Sequence, residues 1–306
     1  MYHIIANPAS GGKKARRNLQ TLVRVLEERG AAYAVHETVR AGEAREIAAA
    51  LTAAPSETAG AEAAFSAAEE TGGRLPEIVV VGGDGTLHEV LNGLADPAAC
   101  RLGLIPSGTG NDFAAAAGIP LNAEAAAKLI LEGEAKETDY LVVGGVRCMN
   151  VGGMGMDVDV LVRCKKGRIK GKIKYLLSLL QSLFAFKGYE LTIESGERKE
   201  THRALIAVAC NGRQIGGGIP ICPASVIDDG KIDVMAVECL SKWQIIKAFG
   251  LLMKGKVLEY PAAEHFLCER VKIRPALPCT AQLDGELYDG LDFDAEIGRG
   301  LKIYRP

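Results

Sequence analysis

The sequence lacks the patterns that mark several large protein classes. Eight cysteines are scattered along 306 residues without a CxxC pair or a Cys/His cluster, which argues against a zinc site and a disulfide framework and fits a reducing cytoplasm. No apolar run approaches the roughly 18 residues that a membrane-spanning helix needs. With no secretory leader before the first strand, we expect a protein that is soluble or lies on a membrane surface. The net charge of −2 provides no overall attraction to nucleic acid.

The composition that remains is that of a globular α/β protein with two domains. Hydrophobic residues make up 48% of the chain and charged residues 24%. The first third repeats an apolar strand, a glycine turn and a helix, which predicts a Rossmann-like parallel sheet with crossover helices over residues 1–133. Short alternating strands between Gly, Asp and Asn turns predict a mostly antiparallel β-sandwich over 134–291. We expect the tail, 292–306, to pack back on the first domain.

Several helices are predicted from apolar spacing. One follows the first turn and ends at Gly30, and another begins at Leu87. In the second half, helices are expected over 172–186 and 241–254, the latter with Trp243 and Ile246 in its apolar content. The Ala- and Glu-rich stretch 52–73 is expected to form a surface helix and loops.

Three strand-to-helix junctions of the first domain carry glycine: "NPASGG" (7–12), "GGDGT" (82–86) and "PSGTGND" (106–112). In an open parallel sheet such junctions meet at the carboxyl ends of the strands, where helix N-termini point their N–H groups at anions. Glycine lets a phosphate approach the backbone closely. The simpler interpretation is that Gly, Ser, Thr and Asn here only cap helices.

Two carboxylates in these turns favour the binding interpretation. A phosphate site should repel Asp84 and Asp112 unless a divalent cation bridges carboxylate and phosphate oxygens, so the pattern predicts a nucleotide with Mg²⁺. The turns match neither the Walker A loop nor GxGxxG.

In combination, these motifs resemble those of the diacylglycerol kinase family, which includes sphingosine kinases and bacterial lipid kinases. "GGDGTLHEVLNGL" and "PSGTGNDFA" are joined by "NPASGG", by "GGGIPICPASVIDDGKIDV" (216–234) and by "LDGE" (283–286), in the right order over nearly the whole chain. NAD kinases share the GGDGT turn but normally lack the GTGND segment and the late DGE. They are the nearest enzymatic alternative.

The resemblance implies a role for each matching position. Asp284 resembles the general base that takes the proton of the lipid hydroxyl, with Glu286 beside it. A catalytic Mg²⁺ network is implied for Asp84, Asp112 and Asp139, and a structural Mg²⁺ for Asp229 with the main-chain carbonyls of Val226 and Lys231. Nucleotide contacts are implied for the following residues: Asn7, Ser10, Gly82, Gly83, Asp84, Gly85, Thr86, Ser107, Gly108, Thr109 and Asn111.

Asp284 also has a simpler interpretation, because Asp-Gly between two strands is a common hairpin turn. Phosphoryl transfer needs positioning more than a strong base, so a well-aimed carboxylate of ordinary pKa suffices.

A basic segment precedes the predicted helix 172–186. Seven cations lie in a stretch without acidic residues: Arg163, Lys165, Lys166, Arg168, Lys170, Lys172 and Lys174. The segment can dock on anionic headgroups or be a solvated loop.

The sequence therefore predicts an ATP- and Mg²⁺-dependent lipid kinase that is cytoplasmic and peripherally associated with the membrane. Its acceptor is diacylglycerol or a similar lipid, such as a sphingoid base or phosphatidylglycerol. A non-catalytic nucleotide- or lipid-binding protein is the alternative from another class. Exposed edge strands make a homodimer a further expectation.

Overall fold

The computed structural model describes residues 1–53, 75–156, 158–159, 161–162, 188–239 and 241–306. The expected surface stretch 52–73, the helix 172–186 and the basic segment 163–174 fall largely or wholly outside these residues. The chain forms two compact units. The N-terminal unit is Met1–Thr138 with Arg299–Pro306, and the C-terminal unit is Asp139–Gly298.

The N-terminal unit contains a parallel sheet in the order β2-β1-β3-β4. Its strands are β1 (Tyr2–Ala6), β2 (Tyr33–Glu37), β3 (Glu77–Gly82) and β4 (Arg101–Pro106). Its helices are α1 (Lys14–Glu28), α2 (Glu43–Thr52), α3 (Asp84–Gly93), α4 (Asp112–Ala116) and α5 (Ala123–Glu132). Every residue of β3 is buried, as expected for a central parallel strand. The predicted parallel α/β domain is confirmed.

Local sequence determines where α1 ends and α3 begins. Leu22 and Leu26 are fully buried one turn apart, and Gly30 adopts φ 62° just after α1, so the predicted helix and its glycine stop are confirmed. The prediction that the helix after β3 begins at Leu87 is wrong, because this helix, α3, begins at Asp84 with Gly83 as its N-cap. A carboxylate in the first turn of a helix is favoured by the helix dipole.

The C-terminal unit is built from antiparallel strands in the order β14-β13-β7-β9-β8-β12-β15, and β10 pairs with β9 and β11. They are listed here in chain order: β5 (Ala135–Val143), β6 (Val146–Cys148), β7 (Val151–Gly155), β8 (Tyr189–Ser195), β9 (Arg198–Cys210), β10 (Ile232–Glu238), β11 (Ala263–Cys268), β12 (Arg270–Pro275), β13 (Thr280–Leu283), β14 (Glu286–Asp289) and β15 (Phe293–Tyr304). The chain passes between the units within β5 and within β15. The predicted antiparallel domain is confirmed.

Alternation along β9 divides the core of this unit into two clusters. Ala207 and Ala209 pack with Leu141, while Val208 and Cys210 pack with Met235 on the other side. Helix α6 (Lys242–Leu252) buries Ile245 and Ala248. Of the residues expected in its apolar content, Ala248 and Leu252 pack on the core, whereas Trp243 and Ile246 are 81% and 41% exposed. Within the described ranges, no helix combines the length and apolarity that crossing a bilayer requires.

Candidate functional site

The three glycine turns of the N-terminal unit lie together. They follow β1, β3 and β4, which are neighbours in the parallel sheet, so their carboxyl ends share one edge. Asn7 Nδ2 donates to Thr86 Oγ1 at 3.2 Å, and the Ser107 amide donates to the Gly82 carbonyl at 2.7 Å. The expected convergence of the three turns is confirmed.

Two glycines are needed because the second and third turns touch. A Cβ on Gly83 would lie 2.8 Å from the Gly108 Cα, and a Cβ on Gly108 would lie 2.6 Å from the Gly83 Cα. Neither separation is possible for a real side chain. Glycine is therefore required here for turn-to-turn packing, whatever the turns bind.

The third turn is held by its own side chains. Asn111 adopts φ 55°, accepts the Gly108 amide at 2.8 Å and donates to the Gly108 carbonyl at 3.0 Å. Ser107 is fully buried, and its hydroxyl donates to the Ile105 carbonyl and accepts from Asn18 Nδ2. Thr109 is exposed at the tip of this loop. Asn7 similarly fixes the first turn, because its Oδ1 accepts the Ala9 amide at 3.1 Å.

Positive charge surrounds the start of α1. The first turn of this helix contains no acidic residue, and its N-terminus follows directly from the first glycine turn. Lys13, Lys14 and Arg17 line a cavity of about 540 Å³ together with Gly11 and Asn18. Cations and an uncompensated helix N-terminus both favour an anionic ligand.

Asp84 and Asp112 occupy matching positions at the starts of α3 and α4. Asp84 Oδ1 accepts the amide of Phe113, the residue after Asp112, at 3.1 Å. Asp112 is only 7% exposed. The fold therefore brings the two predicted carboxylates to adjoining helix N-termini, where hard oxygen ligands for a divalent cation can gather beside the glycine turns.

Asp139 makes hydrogen bonds within the C-terminal unit. Its Oδ2 accepts the Gly230 amide at 2.7 Å, and its own amide donates to the Ile227 carbonyl at 2.7 Å. The carboxylate thus anchors the turn that carries Asp229, whose Oδ1 accepts the Lys231 amide at 2.9 Å. The roles expected for Asp139 and Asp229 in binding Mg²⁺ stay predictions.

Asp284 lies in the hairpin turn between β13 and β14 and has φ 53°, with Gly285 at φ 87°. Its side chain does more than close a hairpin. Oδ2 accepts the Met149 amide and Oδ1 accepts the Asn150 amide, both at 2.8 Å. The buried Cys148 thiol lies 3.2 Å from Oδ1, and burial together with the Asp284 charge raises the pKa of this thiol well above its usual value. Glu286 is exposed at the start of β14.

Sequence reasoning missed the residues that hold Asp284. Asn211 is fully buried, and its Nδ2 donates to the carbonyls of Asp139 and Met149, both at 2.8 Å. It therefore joins the strand of Asp139 to the loop that binds Asp284. An asparagine placed directly after the apolar, buried end of β9 was the available indication, because a buried amide needs partners.

Known proteins resemble the chain along its length. Residues 1–143 match a family model described as the diacylglycerol kinase catalytic domain, and residues 150–299 match the YegS C-terminal NAD kinase beta sandwich-like domain. A "Probable lipid kinase YegS-like" protein from Xanthomonas campestris is 33% identical over 78% of this chain and 82% of its own. A diacylglycerol kinase from Bacillus subtilis is 29% identical over 94% of this chain and 90% of its own.

The fold has solved counterparts. A crystal structure of a diacylglycerol kinase from Bacillus anthracis superposes with a TM-score of 0.72 over 100% of this chain and 96% of that chain, at 22% identity. With the catalytic-domain match, the relatives and the glycine turns in agreement, the chain belongs to the diacylglycerol kinase family and is a lipid kinase.

Proposed function

We propose that this lipid kinase transfers the γ-phosphate of ATP, with Mg²⁺, to a hydroxyl of diacylglycerol or a similar lipid. The observation that carries the proposal is the cluster of three glycine turns with Asp84 and Asp112 beside it. Anion-binding turns and two carboxylates in one place suit a polyphosphate that arrives with a divalent cation. The bound Mg²⁺ would neutralise phosphate charge.

Each part of the cluster has a task in this proposal. Backbone amides of the second and third turns bind the phosphates, and the exposed Thr109 hydroxyl is available to them at the loop tip. Lys13, Lys14 and Arg17 add positive potential along the same helix N-terminus. Asn7 and Ser10 complete the first turn.

Asp284 is proposed as the base that accepts the proton of the lipid hydroxyl. The hydrogen bonds that its carboxylate accepts from two backbone amides favour its charged form and fix its orientation. Phosphoryl transfer demands such positioning. Glu286 lies two residues away on β14 and is proposed to assist it. Asp229, with the carbonyls of Val226 and Lys231, is proposed to bind a structural Mg²⁺ in the turn that Asp139 anchors.

Radiolabelled ATP separates this proposal from its alternatives. The full chain is incubated with Mg²⁺ and, in separate reactions, diacylglycerol, sphingosine, phosphatidylglycerol or NAD. Label in the organic phase with diacylglycerol is the expected result. Transfer to NAD alone would identify an NAD kinase, and ATP binding without transfer to any acceptor would indicate a non-catalytic protein.

Helix α6 supports the proposal that the enzyme works at the membrane surface. Trp243, Ile246 and Met253 are 81%, 41% and 48% exposed, and their spacing places them on one side of the helix. Four exposed lysines, Lys242, Lys247, Lys254 and Lys256, lie in the same stretch, and no acidic residue occurs between positions 239 and 258. This combination suits an anionic bilayer, where each lysine contributes about 1 kcal/mol.

Trp243 makes the membrane proposal testable because it is the only tryptophan of the chain. Its emission should shift to the blue with phosphatidylglycerol vesicles, and brominated lipids should quench it. Ile246→Asp should weaken this response strongly. Val39→Asp, at an apolar position 88% exposed in the N-terminal unit, should leave it unchanged. The proposal would be contradicted if anionic vesicles left the Trp243 emission unchanged, or if both variants showed the same change in emission.

A further inference from the structure

Three side chains of chemically different kinds meet at one end of β10, β11 and the β9–β10 loop. Asp233 is the second residue of β10 and lies opposite Cys210 of β9 and Leu267 of β11. His265 lies two residues from Leu267, diagonally across from Asp233 on the same face of the sheet. Cys222 comes from the loop that joins β9 to β10 and packs on this face.

The polar atoms of these three residues are close together. His265 Nε2 lies 2.6 Å from Asp233 Oδ1. One ligand atom from each of Cys222, Asp233 and His265 lies within 4.8 Å of the other two. A tetrahedral metal with bonds of about 2.0–2.3 Å separates its ligand atoms by roughly 3.3–3.8 Å. The separation between His265 Nε2 and Asp233 Oδ1, now 2.6 Å, would therefore have to widen by about 1 Å for both atoms to bind one metal.

The cluster is unusual because it places a carboxylate and a thiol inside an apolar core. Asp233 is 2% exposed and Cys222 fully buried, while the His265 side chain is 26% exposed and gives access from solvent. Met235 and Ile221 belong to the same hydrophobic cluster as Cys222. A buried carboxylate needs a charged partner. A divalent metal with one thiolate, one carboxylate and one neutral imidazole has no net charge, so it satisfies this requirement.

We propose that Cys222, Asp233 and His265 bind a zinc ion or a similar thiophilic divalent metal. On binding, the Cys222 thiol releases its proton to solvent, and the proton of the hydrogen bond between His265 Nε2 and Asp233 leaves Nε2 for solvent or for Nδ1, so that the metal takes the place of that hydrogen bond. Water completes the coordination beside the Cys210 thiol, which interacts with that of Cys222. The inference is independent of the kinase assignment. It also departs from the sequence-based expectation of no zinc site, because residues 222, 233 and 265 share no recognisable spacing.

The metal would act as a brace for the β9–β10 loop. This loop is already held by the Cys222 amide, which donates to the Arg213 carbonyl at 3.2 Å, and by the Ser225 amide, which donates to the Cys222 carbonyl at 3.1 Å. It also carries the turn that Asp139 anchors. Fixing Cys222 to two strands would therefore stabilise the loop, and binding to the folded chain alone raises the melting temperature.

Cobalt substitution tests the site without reference to activity. Chelator-treated full chain is titrated with Co²⁺ and then with Zn²⁺. We expect about one cobalt per chain, a thiolate-to-cobalt charge-transfer band that zinc abolishes, and a melting temperature raised by zinc. Cys222→Ser and His265→Gln should each lower zinc affinity by at least the roughly 10–100-fold that the loss of an outer-shell partner costs. Cys279→Ser, at a half-buried cysteine of the same unit that contacts Met154, should retain the band.

Alkylation of the unmodified chain covers the case in which a variant fails to fold. Zinc should slow the labelling of Cys222 relative to Cys279, as mapped by mass spectrometry. A chain that gives no thiolate band, a band that persists in Cys222→Ser, or equal labelling of Cys222 with and without zinc would overturn the proposal and leave a hydrogen-bonded His–Asp pair.

Discussion

At the residue scale, Asp284 combines two properties that its hairpin position alone would not give. Its backbone adopts a left-handed conformation that Asn, Asp and Gly tolerate. Its carboxylate accepts amides from two consecutive residues, Met149 and Asn150, which differ from it in sequence by more than 130 positions. An aspartate that only forms a hairpin turn needs no such contacts, so the fold positions this side chain.

The variant Asp284→Asn should separate catalysis from binding. We expect turnover to fall by roughly 100-fold or more, because asparagine cannot act as the base proposed for Asp284. ATP affinity, measured by calorimetry, should stay unchanged. The amide NH₂ must face one of the two backbone N–H groups, so the free energy of unfolding should fall by about 1–3 kcal/mol. Asp289→Asn, on the exposed end of the same hairpin, is the control. A large loss of ATP affinity would show that Asp284 is structural.

Gly83→Ala tests whether contact between the turns is required for the proposed nucleotide site. The added Cβ would meet the Gly108 Cα at 2.8 Å, so the turns must separate. We expect a loss of about 1–3 kcal/mol in stability and a clear loss of ATP affinity. Gly250→Ala is the matched control, because a Cβ there meets nothing within 4 Å in helix α6. Wild-type ATP binding and melting in Gly83→Ala would contradict the assignment.

At the element scale, the pairing of β12 with β15 includes a carboxylate between two cations. Asp294 lies opposite Lys272. It accepts from Arg270 at 2.6 and 2.8 Å and lies 3.0 Å from Lys272 Nζ. The hydrogen bond from Arg270 is the largest cause that lowers the pKa of Asp294 to about 2. Its side chain is 17% exposed, so part of this interaction is shielded from solvent.

Acid should therefore weaken this strand pair in a defined range of pH. The charged form is favoured in the folded state, so its contribution is complete above the unfolded pKa of about 4 and is lost as the pH falls toward 2. Because Arg270 is 58% exposed, we expect only about 1 kcal/mol. Urea unfolding at pH 7 should show this loss for Asp294→Asn, and the difference from the parent chain should disappear near pH 2. A difference that is constant with pH would contradict the ion-pair explanation.

Elements also show what the sequence could and could not predict. Parallel strands joined by glycine turns dictate that those turns share an edge, so the cluster around Gly83 and Gly108 was predictable. The side of α6 that packs on the core was not predictable, because Trp243 and Ile245 both fit a helical apolar pattern and only tertiary packing selects Ile245. The contact of Asp139 with Gly230 was also inaccessible, since it joins positions 91 apart through a turn. Distant pairs of this kind depend on tertiary structure.

At the scale of the whole molecule, the last residues belong to the first unit. Residues 299–306 lie in the N-terminal unit, where Lys302 and Ile303 pair in parallel with Arg101 and Leu102 of β4. Leu301 and Ile303 are almost fully buried. The chain ends therefore contribute to one fold, and a fragment that covers only the catalytic-domain match at 1–143 lacks this strand.

Deleting residues 299–306 should destabilise the N-terminal unit by several kcal/mol. Loss of the buried side chains of Leu301 and Ile303 should lower the free energy of unfolding by about 1.5–3 kcal/mol each. The buried Glu77 would also lose the hydroxyl of Tyr304, which donates to it at 2.8 Å, and would keep Arg101 at 3.0 Å. Tyr304→Phe removes only that bond and should cost about 1–2 kcal/mol, whereas removal of the exposed Pro306 should cost nothing. Hydrogen exchange of the β3 and β4 amides reports on this unit alone. Exchange that the deletion does not accelerate would mean that β4 is stable as an edge strand, and that the return of the chain is not needed to hold the glycine turns in place.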